Sequence, residues 1–345
     1  MDGEKRERVL VAMSGGVDSS VAALLLRDAG YDATGVTMKL FDNEVAGAGG
    51  ACVVGESTCC SQSDVEDARQ VAFGLGLEHF TFNFTGTFGC EVIDRFCDAY
   101  LHGRTPNPCI DCNRYLKFAA LQRRRAQLGF DYVATGHYAR RAFNERTGRF
   151  ELRRGLDEAK DQSYVLYHLT QDDLAHMLFP LGELTKPQVR ELAEKHSFGN
   201  AHKAESQDIC FVPDGDYASF IARYMGFGGD AARDNGKEPT VPAAFEPGDI
   251  VDVGGKVLGR HAGLVHYTIG QRKGIGVAAP EPLYVVGKDA GKNVLVVGPR
   301  SELGVREVRA GDVNLISVAE LDKPMRVTAK THYRQRAQAA EAVVE

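Results

Sequence analysis

The sequence predicts an α/β fold: an N-terminal doubly wound parallel sheet, then a small β-rich central domain, then a C-terminal β-barrel. Three observations carry this. A short apolar run, Val9-Leu10-Val11-Ala12, leads through Met13-Ser14-Gly15-Gly16-Val17-Asp18-Ser19-Ser20 into a helix-forming stretch at 21–26. Strand-like and helix-like stretches alternate up to about residue 211, which implies parallel strands joined by crossover helices. Beyond about 212, short β-type runs broken by Gly and Pro take over. The expected domains are 1–211, Rossmann-like in layout, 212–280 and 281–345.

Composition agrees with a globular chain. The 345 residues suit two or three domains at ~150 residues each. With 43% apolar residues the chain can bury a substantial core. No run of 18 apolar residues occurs, so no membrane span is expected. The first eight residues are polar and charged and lead straight into a strand, unlike a signal peptide, so the expected compartment is the cytoplasm. There, eight cysteines suggest reactive thiols or metal ligands in place of a disulfide framework. A net charge of −6 argues against a uniformly basic surface, while local basic patches still permit an RNA partner.

The first turn is a phosphate cradle. Gly15 and Gly16 let backbone approach an anion, and the first N–H groups of the following helix, expected over about 19–29, lack intrahelical partners. Ser14, Ser19 and Ser20 add hydroxyl donors. The lysine of the Gly-x-x-x-x-Gly-Lys loop is absent. The next strand, at 33–38, ends on Met38, a candidate wall for an adenine pocket.

Residues 43–58 read as a Gly/Ala-rich loop, and Cys52, Cys59 and Cys60 in or after it match no ligand spacing. A helix follows with Ser63 as N-cap and acids in its first turn, then an alternating strand at 79–84. In a helix over 88–102, Cys90 and Cys97 at i and i+7 read as core thiols. Thr105-Pro106-Asn107-Pro108 reads as a stiffened loop carrying Cys109-Ile110-Asp111-Cys112, with a basic helix at about 114–128 behind it. Such a Cys-x-x-Cys is open between a redox pair, half a metal site and a nucleophile with a neighbour.

A strand at 132–135 ends in Gly136-His137-Tyr138, where Gly136 permits close approach of a ligand and His137 suits a catalytic or RNA contact. Lys160-Asp161-Gln162-Ser163-Tyr164 begins a helix, and Thr185 caps another. Cys210, in Ser206-Gln207-Asp208-Ile209-Cys210-Phe211, converges with Cys112 if the sheet's loops gather at one edge. Short strands are expected near 249–253, 284–287, 294–298 and 327–330, and the basic, Gly-rich 266–276 stretch with Tyr267 suits a nucleic-acid backbone.

The loop over Ser14–Ser19 resembles the Ser-Gly-Gly-x-Asp-Ser loop of ATP pyrophosphatases. Together with Thr-Pro-Asn-Pro-Cys-x-x-Cys-Asn at 105–113, Thr-Gly-His-Tyr at 135–138, Lys-Asp-Gln-Ser-Tyr at 160–164, Ser-Gln-Asp-Ile-Cys-Phe at 206–211 and Thr-Ile-Gly-Gln-Arg-Lys-Gly at 268–274, it makes nearly the whole chain similar to the tRNA 2-thiouridylase family. The resemblance implies ATP, with Mg²⁺ on its phosphates, bound by Ala12, Met13, Ser14, Gly15, Gly16, Val17, Asp18, Ser19, Met38 and Gly136. Asp18 is taken with the catalytic set. The implied reaction adenylates the C2 oxygen of the wobble uridine in tRNAs for Lys, Glu and Gln. Cys210 is implied as a persulfide charged by a cysteine desulfurase or sulfur-relay protein. Cys112 is implied as the nucleophilic partner thiol that forms a disulfide with it. Implied tRNA contacts are Asn107, Pro108 and Cys109 near the base, then His137, Lys160, Asp161, Gln162, Tyr333 and Arg334.

Two departures matter. Cys109 stands where some relatives carry Asp, so Cys109, Cys112 and Cys210 form an alternative ligand set for a [4Fe-4S] cluster with one open iron. The family barrel usually continues past Tyr-Arg, whereas this chain stops at Glu345, so a truncated or differently closed barrel is expected. The rivals are another adenylating synthetase of the same fold, which needs no cysteine pair, and a thiol- or cluster-bearing tRNA-binding protein without turnover, which needs no phosphate cradle.

Overall fold

A computed structural model of the chain describes residues 6–40, 62–203, 209–212, 214–227, 241–331 and 335–343. Cys52, Cys59, Cys60, Ser206-Gln207-Asp208, Tyr333 and Arg334 lie outside the described residues. The N-terminal half opens with β1 (Arg8–Ala12), α1 (Val17–Asp28), β2 (Asp32–Lys39), α2 (Gln62–Gly74) and β3 (His79–Asn83). It continues with α3 (Thr85–Phe88), a π turn, α4 (Asp94–Leu101), α5 (Pro108–Asp111), a π segment at Cys112–Ala120, and α6 (Leu121–Leu128). Then come β4 (Tyr132–Thr135), β5 (Ala139–Asn144), β6 (Arg149–Arg154), α7 (Gln171–Ala175), β7 (Met177–Leu178) and α8 (Lys186–Lys195).

The main sheet runs β3-β2-β1-β4-β7, with every pairing parallel. Strand β1 sits at its centre, buried from Val9 to Ala12, as its unbroken apolar run requires of a two-sided strand. Strand order reverses direction beside β1, so the loops after β1 and β4 open a crevice at the carboxyl edge. Both the cradle and Gly136-His137 lie there, as expected.

Four local expectations are corrected. The Cys-x-x-Cys pair is helical, because Asn107 caps α5 by accepting from Cys109 N (3.1 Å) and Pro108 takes the first helical position, where a missing N–H costs nothing. Cys90 is exposed while Cys97 is buried, because the π turn at Gly89–Ile93 inserts a residue and rotates Cys90 off the apolar face. Ser63 lies inside α2, which already includes Gln62. Residues 163–166 form a single 3₁₀ turn in place of a longer helix. Between β5 and β6 the chain forms an antiparallel hairpin that the periodicity did not suggest.

The domain boundaries also shift. Helix α9 (Tyr217–Tyr224) falls beyond 212, yet its Phe220 and Ile221 share a cluster with Phe96 and Phe211 of the catalytic half. The four-stranded sheet β10-β11-β8-β9 joins β8 (Gly248–Asp252) and β9 (Val257–His261) to β10 (Tyr284–Asp289) and β11 (Val294–Gly298). Strand β11 pairs in parallel with β8, so a division at 280 cuts through one sheet. A hairpin of β12 (Met325–Ala329) and β13 (Gln338–Ala342) follows. Tyr267 is buried in the core of the four-stranded sheet, which removes it as a stacking surface.

Phe96 ties α4 to its surroundings: its ring lies 4.9 Å from Tyr100, 5.1 Å from Phe211 and 6.3 Å from Phe220. Phe96→Ala is expected to cost ~3–5 kcal/mol, as a fully buried aromatic leaves a cavity its neighbours only partly fill. Urea unfolding of the two proteins checks this.

Candidate functional site

The cradle turns on Gly15, whose φ of +74° lies in the left-handed region. A Cβ there would also meet the Asp64 carbonyl oxygen at 2.3 Å. Gly16 is the N-cap of α1 and supplies no side chain to the helix's first N–H groups, which leaves them for an anion. The hydroxyls hold the turn's shape. Ser19 Oγ accepts from Ser14 N (3.1 Å) and donates to Gly16 O (3.0 Å), and Ser20 Oγ donates to the same carbonyl (3.1 Å).

Four side chains outside the motif brace it. Lys186 Nζ, nearly buried, donates to both Asp18 oxygens at 2.8 Å, and Tyr138 Oη donates to Asp18 Oδ1 at 2.8 Å. Asn200 Nδ2 donates to Gly15 O and to Ser20 Oγ, both at 2.9 Å. Lys203 Nζ bridges Asp64 (2.6 Å) and Asp67 (2.5 Å) at the start of α2, whose backbone abuts Gly15. Those two carboxylates hold the Lys203 pKa up against the downward pull of its burial. Lys186, Asn200 and Lys203 were not identified as site residues from the sequence. Their only signal was Lys186 at a helix start, since such long-range pairings leave no local pattern.

Gly136 lies against the same helix start. A Cβ there would fall 2.9 Å from both Asp18 C and Ser19 N, so the residue allows β4's loop to pack on the cradle. His137 is buried (7% exposed) with Nδ1 2.8 Å from Thr135 Oγ1 and its ring 6.0 Å from Phe118. Burial, with Lys117 and His168 nearby, holds its pKa well below the ordinary value, so it is neutral at physiological pH. The residue expected to make a catalytic or RNA contact is thus a buried, neutral imidazole. Asp161 and Gln162 hold the neighbouring chain, and Asp161 Oδ2 also accepts from Ser163 Oγ (2.9 Å). Asp161 Oδ1 accepts from Gly155 N and Ser163 N, and Gln162 Oε1 accepts from Tyr138 N at 3.0 Å.

The thiols divide by environment. Cys109 is exposed, Cys112 buried and Cys210 half-buried. Cys112 belongs to the cluster of Phe88, Phe96 and Phe211, and Cys210 and Met38 pack against it. Two cysteines 98 residues apart thus border one apolar patch beside the expected adenine wall. Asn113 Nδ2 fixes the turn between Cys109 and Cys112 by donating to Cys109 O (2.9 Å). Asp111, 3.6 Å from Arg95, has its pKa raised by burial that outweighs the nearby arginines. Among the described residues no group of three or more His, Cys, Asp or Glu side chains is placed to hold a metal ion.

Residues 7–214 match the tRNA methyl transferase HUP domain family and 241–299 the tRNA methyl transferase PRC-barrel domain family. A protein of Carboxydothermus hydrogenoformans named tRNA-specific 2-thiouridylase MnmA is 48% identical over 100% of this chain and 88% of its own length. MnmA 2 of Caldanaerobacter subterraneus is 47% identical over 98% and 87%, and MnmA of Moorella thermoacetica 48% over 94% and 85%. The chain belongs to the MnmA family of tRNA-specific 2-thiouridylases. The PRC-barrel match spans both pairs of strands in the four-stranded sheet, in accord with the single unit seen in the fold. No helix among the described residues is long and apolar enough to cross a membrane.

Two expected outcomes follow from this MnmA-family site. Lys186→Met leaves Asp18, a third exposed, without its cation. It should cost roughly 2 kcal/mol, less than a fully buried pair would, and raise the KM for ATP. Thermal unfolding and AMP formation measure the two effects. His168, whose ring nitrogens are buried without hydrogen-bond partners among the described residues, has its pKa lowered from 6.5 to about 4 by burial and Arg114. A depressed histidine binds its proton more readily unfolded. Its contribution is complete above pH 6.5 and declines as pH falls from 6.5 toward 4. Urea midpoints measured across that window should fall less steeply in His168→Gln.

Proposed function

We propose that the protein uses Mg-ATP to thiolate C2 of the wobble uridine (U34) in tRNAs for Lys, Glu and Gln, with sulfur carried on Cys210. The observation that carries the mechanism is the convergence of Cys112 and Cys210 on one apolar patch, bordered by Met38 at the end of β2, the strand paired with β1. Ala12–Ser19 would hold the ATP phosphates on the α1 N-terminus, with Met38 and Gly136 at the nucleoside end. The uridine O2 attacks the α-phosphate and pyrophosphate leaves, which turns a poor oxide leaving group into AMP.

A cysteine desulfurase or relay protein supplies the persulfide on Cys210. Its terminal sulfur attacks C2 and AMP departs with the C–O electron pair. The Cys112 thiolate then attacks Cys210 Sγ. The S–S electron pair goes to the sulfur now bonded to C2, forming the thiocarbonyl, and a Cys112–Cys210 disulfide remains. A cellular thiol reductant resets it for the next turnover. This exchange requires two thiols within reach, and an apolar border shields the adenylate from water.

Asn107, Pro108 and Cys109 at the N-terminus of α5 are the proposed contacts near the target base, with Lys160, Tyr333 and Arg334 on the rest of the tRNA. His137, Asp161 and Gln162 act behind them by shaping the wall and the 160–163 turn. Extracting the base costs a few kcal/mol at most, because anticodon bases are already unpaired. A [4Fe-4S] carrier on the three cysteines draws no support from their arrangement, and the cytoplasm is the proposed compartment.

The test is in vitro thiolation of unmodified glutamate tRNA with Mg-ATP and a persulfide donor, read by mobility on a mercury-containing gel. A retarded band is expected, lost in Cys210→Ser and in multiple-turnover Cys112→Ser, with pyrophosphate still released by adenylation in both. Full thiolation by Cys210→Ser would overturn the sulfur route, and activity that appears only with added iron and sulfide would replace it by a cluster mechanism.

A further inference from the structure

Between the four-stranded sheet and the β12–β13 hairpin the chain runs as a strap. Residues 304–313 are exposed throughout. At 314–316 exposure drops and five hydrogen bonds gather. Asn314 Nδ2 donates to Tyr167 O (2.7 Å) and Leu169 O (2.9 Å). Arg149, on β6, donates from Nη2 to Leu315 O and from Nε to Ile316 O, each at 3.0 Å. Gln171 Nε2 donates to Ile316 O at 3.0 Å, while its Oε1 accepts from Phe150 N at 2.7 Å. The Ile316 side chain packs on the cluster that contains Phe118, Leu166 and Leu169.

We infer that Asn314-Leu315-Ile316 is a latch that registers the C-terminal hairpin against the catalytic half for tRNA, with Arg149, Gln171 and Asn314 as positioning residues. The inference rests on the proposed tRNA reaction. It is carried by the contrast between an exposed strap and one three-residue anchor, and by where that anchor lands. Asn314 grips the carbonyls on both sides of His168, whose ring lies 5.6 Å from Phe118. Phe118 in turn touches His137 and stands in the same π segment as Cys112. The strap that leads to the hairpin is thus anchored beside Phe118, which packs against His137.

Linker arithmetic gives the effect its size. Without the latch, the stretch leading to β12 is residues 304–324; with it, only 317–324. Shortening a flexible tether from 21 to eight residues raises the effective concentration of its attached module about fourfold, by the −3/2 power of length. Loss of orientation adds to this.

The experiment measures steady-state thiolation of full-length glutamate tRNA by the whole chain and by Asn314→Ala, Arg149→Met and Arg149→Lys. In Asn314→Ala and Arg149→Met the KM for tRNA should rise about fourfold or more, with kcat and the KM for ATP held within about twofold. Arg149→Lys, which keeps one donor, should fall between. An unchanged KM for tRNA in both truncations overturns the latch. So does a parallel loss in kcat and KM for ATP with a lowered melting temperature, which would mark the residues as merely structural. Failure of the unaltered protein to thiolate tRNA at all would instead remove the proposed function, and is seen before any variant is compared.

Discussion

The ion pair between Lys186 and Asp18 is the constraint on which the site depends. Asp18 sits in the first turn of α1, where a carboxylate is favoured by the helix dipole. It belongs to the loop proposed to hold a polyphosphate, where an uncompensated negative charge would repel the ligand. Lys186 and Tyr138 take up its oxygens from two other elements, so the turn is neutralised before any nucleotide arrives. The same contacts fasten α8 and the Gly136 loop to α1, and so set the width of the crevice.

A second layer makes the cradle rigid. Gly15 is pressed between the Asp64 backbone and the amide of Asn200, and Lys203 pins the start of α2 through two carboxylates. These braces come from residues 64–67 and 200–203, and the latter pair directly precedes the segment that carries Cys210. The braces of the cradle and the cysteine proposed to carry sulfur are therefore close in sequence. An enzyme that must adenylate first and deliver sulfur second gains from such proximity.

Much of this was legible in the sequence. The cradle, the parallel sheet and the strands beyond 248 follow from glycine placement and from apolar periodicity, both local signals. The Cys-x-x-Cys helix was misread because proline was weighed as a breaker when Pro108, behind an Asn107 cap, starts a helix. Cys90 was misplaced because a π turn changes the helical period without leaving a sequence mark. The β5–β6 hairpin was missed because its strands, rich in arginine, show no clean alternation. Lys186, Asn200 and the latch at 314–316 were invisible for a different reason: each acts through a partner more than 100 residues away. Family likeness supplied what spacing could not, namely the expectation that Cys112 and Cys210 act together.

The topology of the central sheet has a consequence for synthesis. Strand β1 leaves the ribosome first, yet its neighbour β4 lies beyond residue 130, and the amide that holds Gly15 is at residue 200. Parallel pairing of this kind gains little from local contacts and pays loop closure before it is rewarded. The opening strand–turn–helix can pair with β2 early, but the other edge of β1 stays uncovered until most of the catalytic half has emerged. At elongation rates of roughly 5–20 residues per second that wait lasts on the order of ten seconds or more, long enough for chaperones to engage the nascent chain.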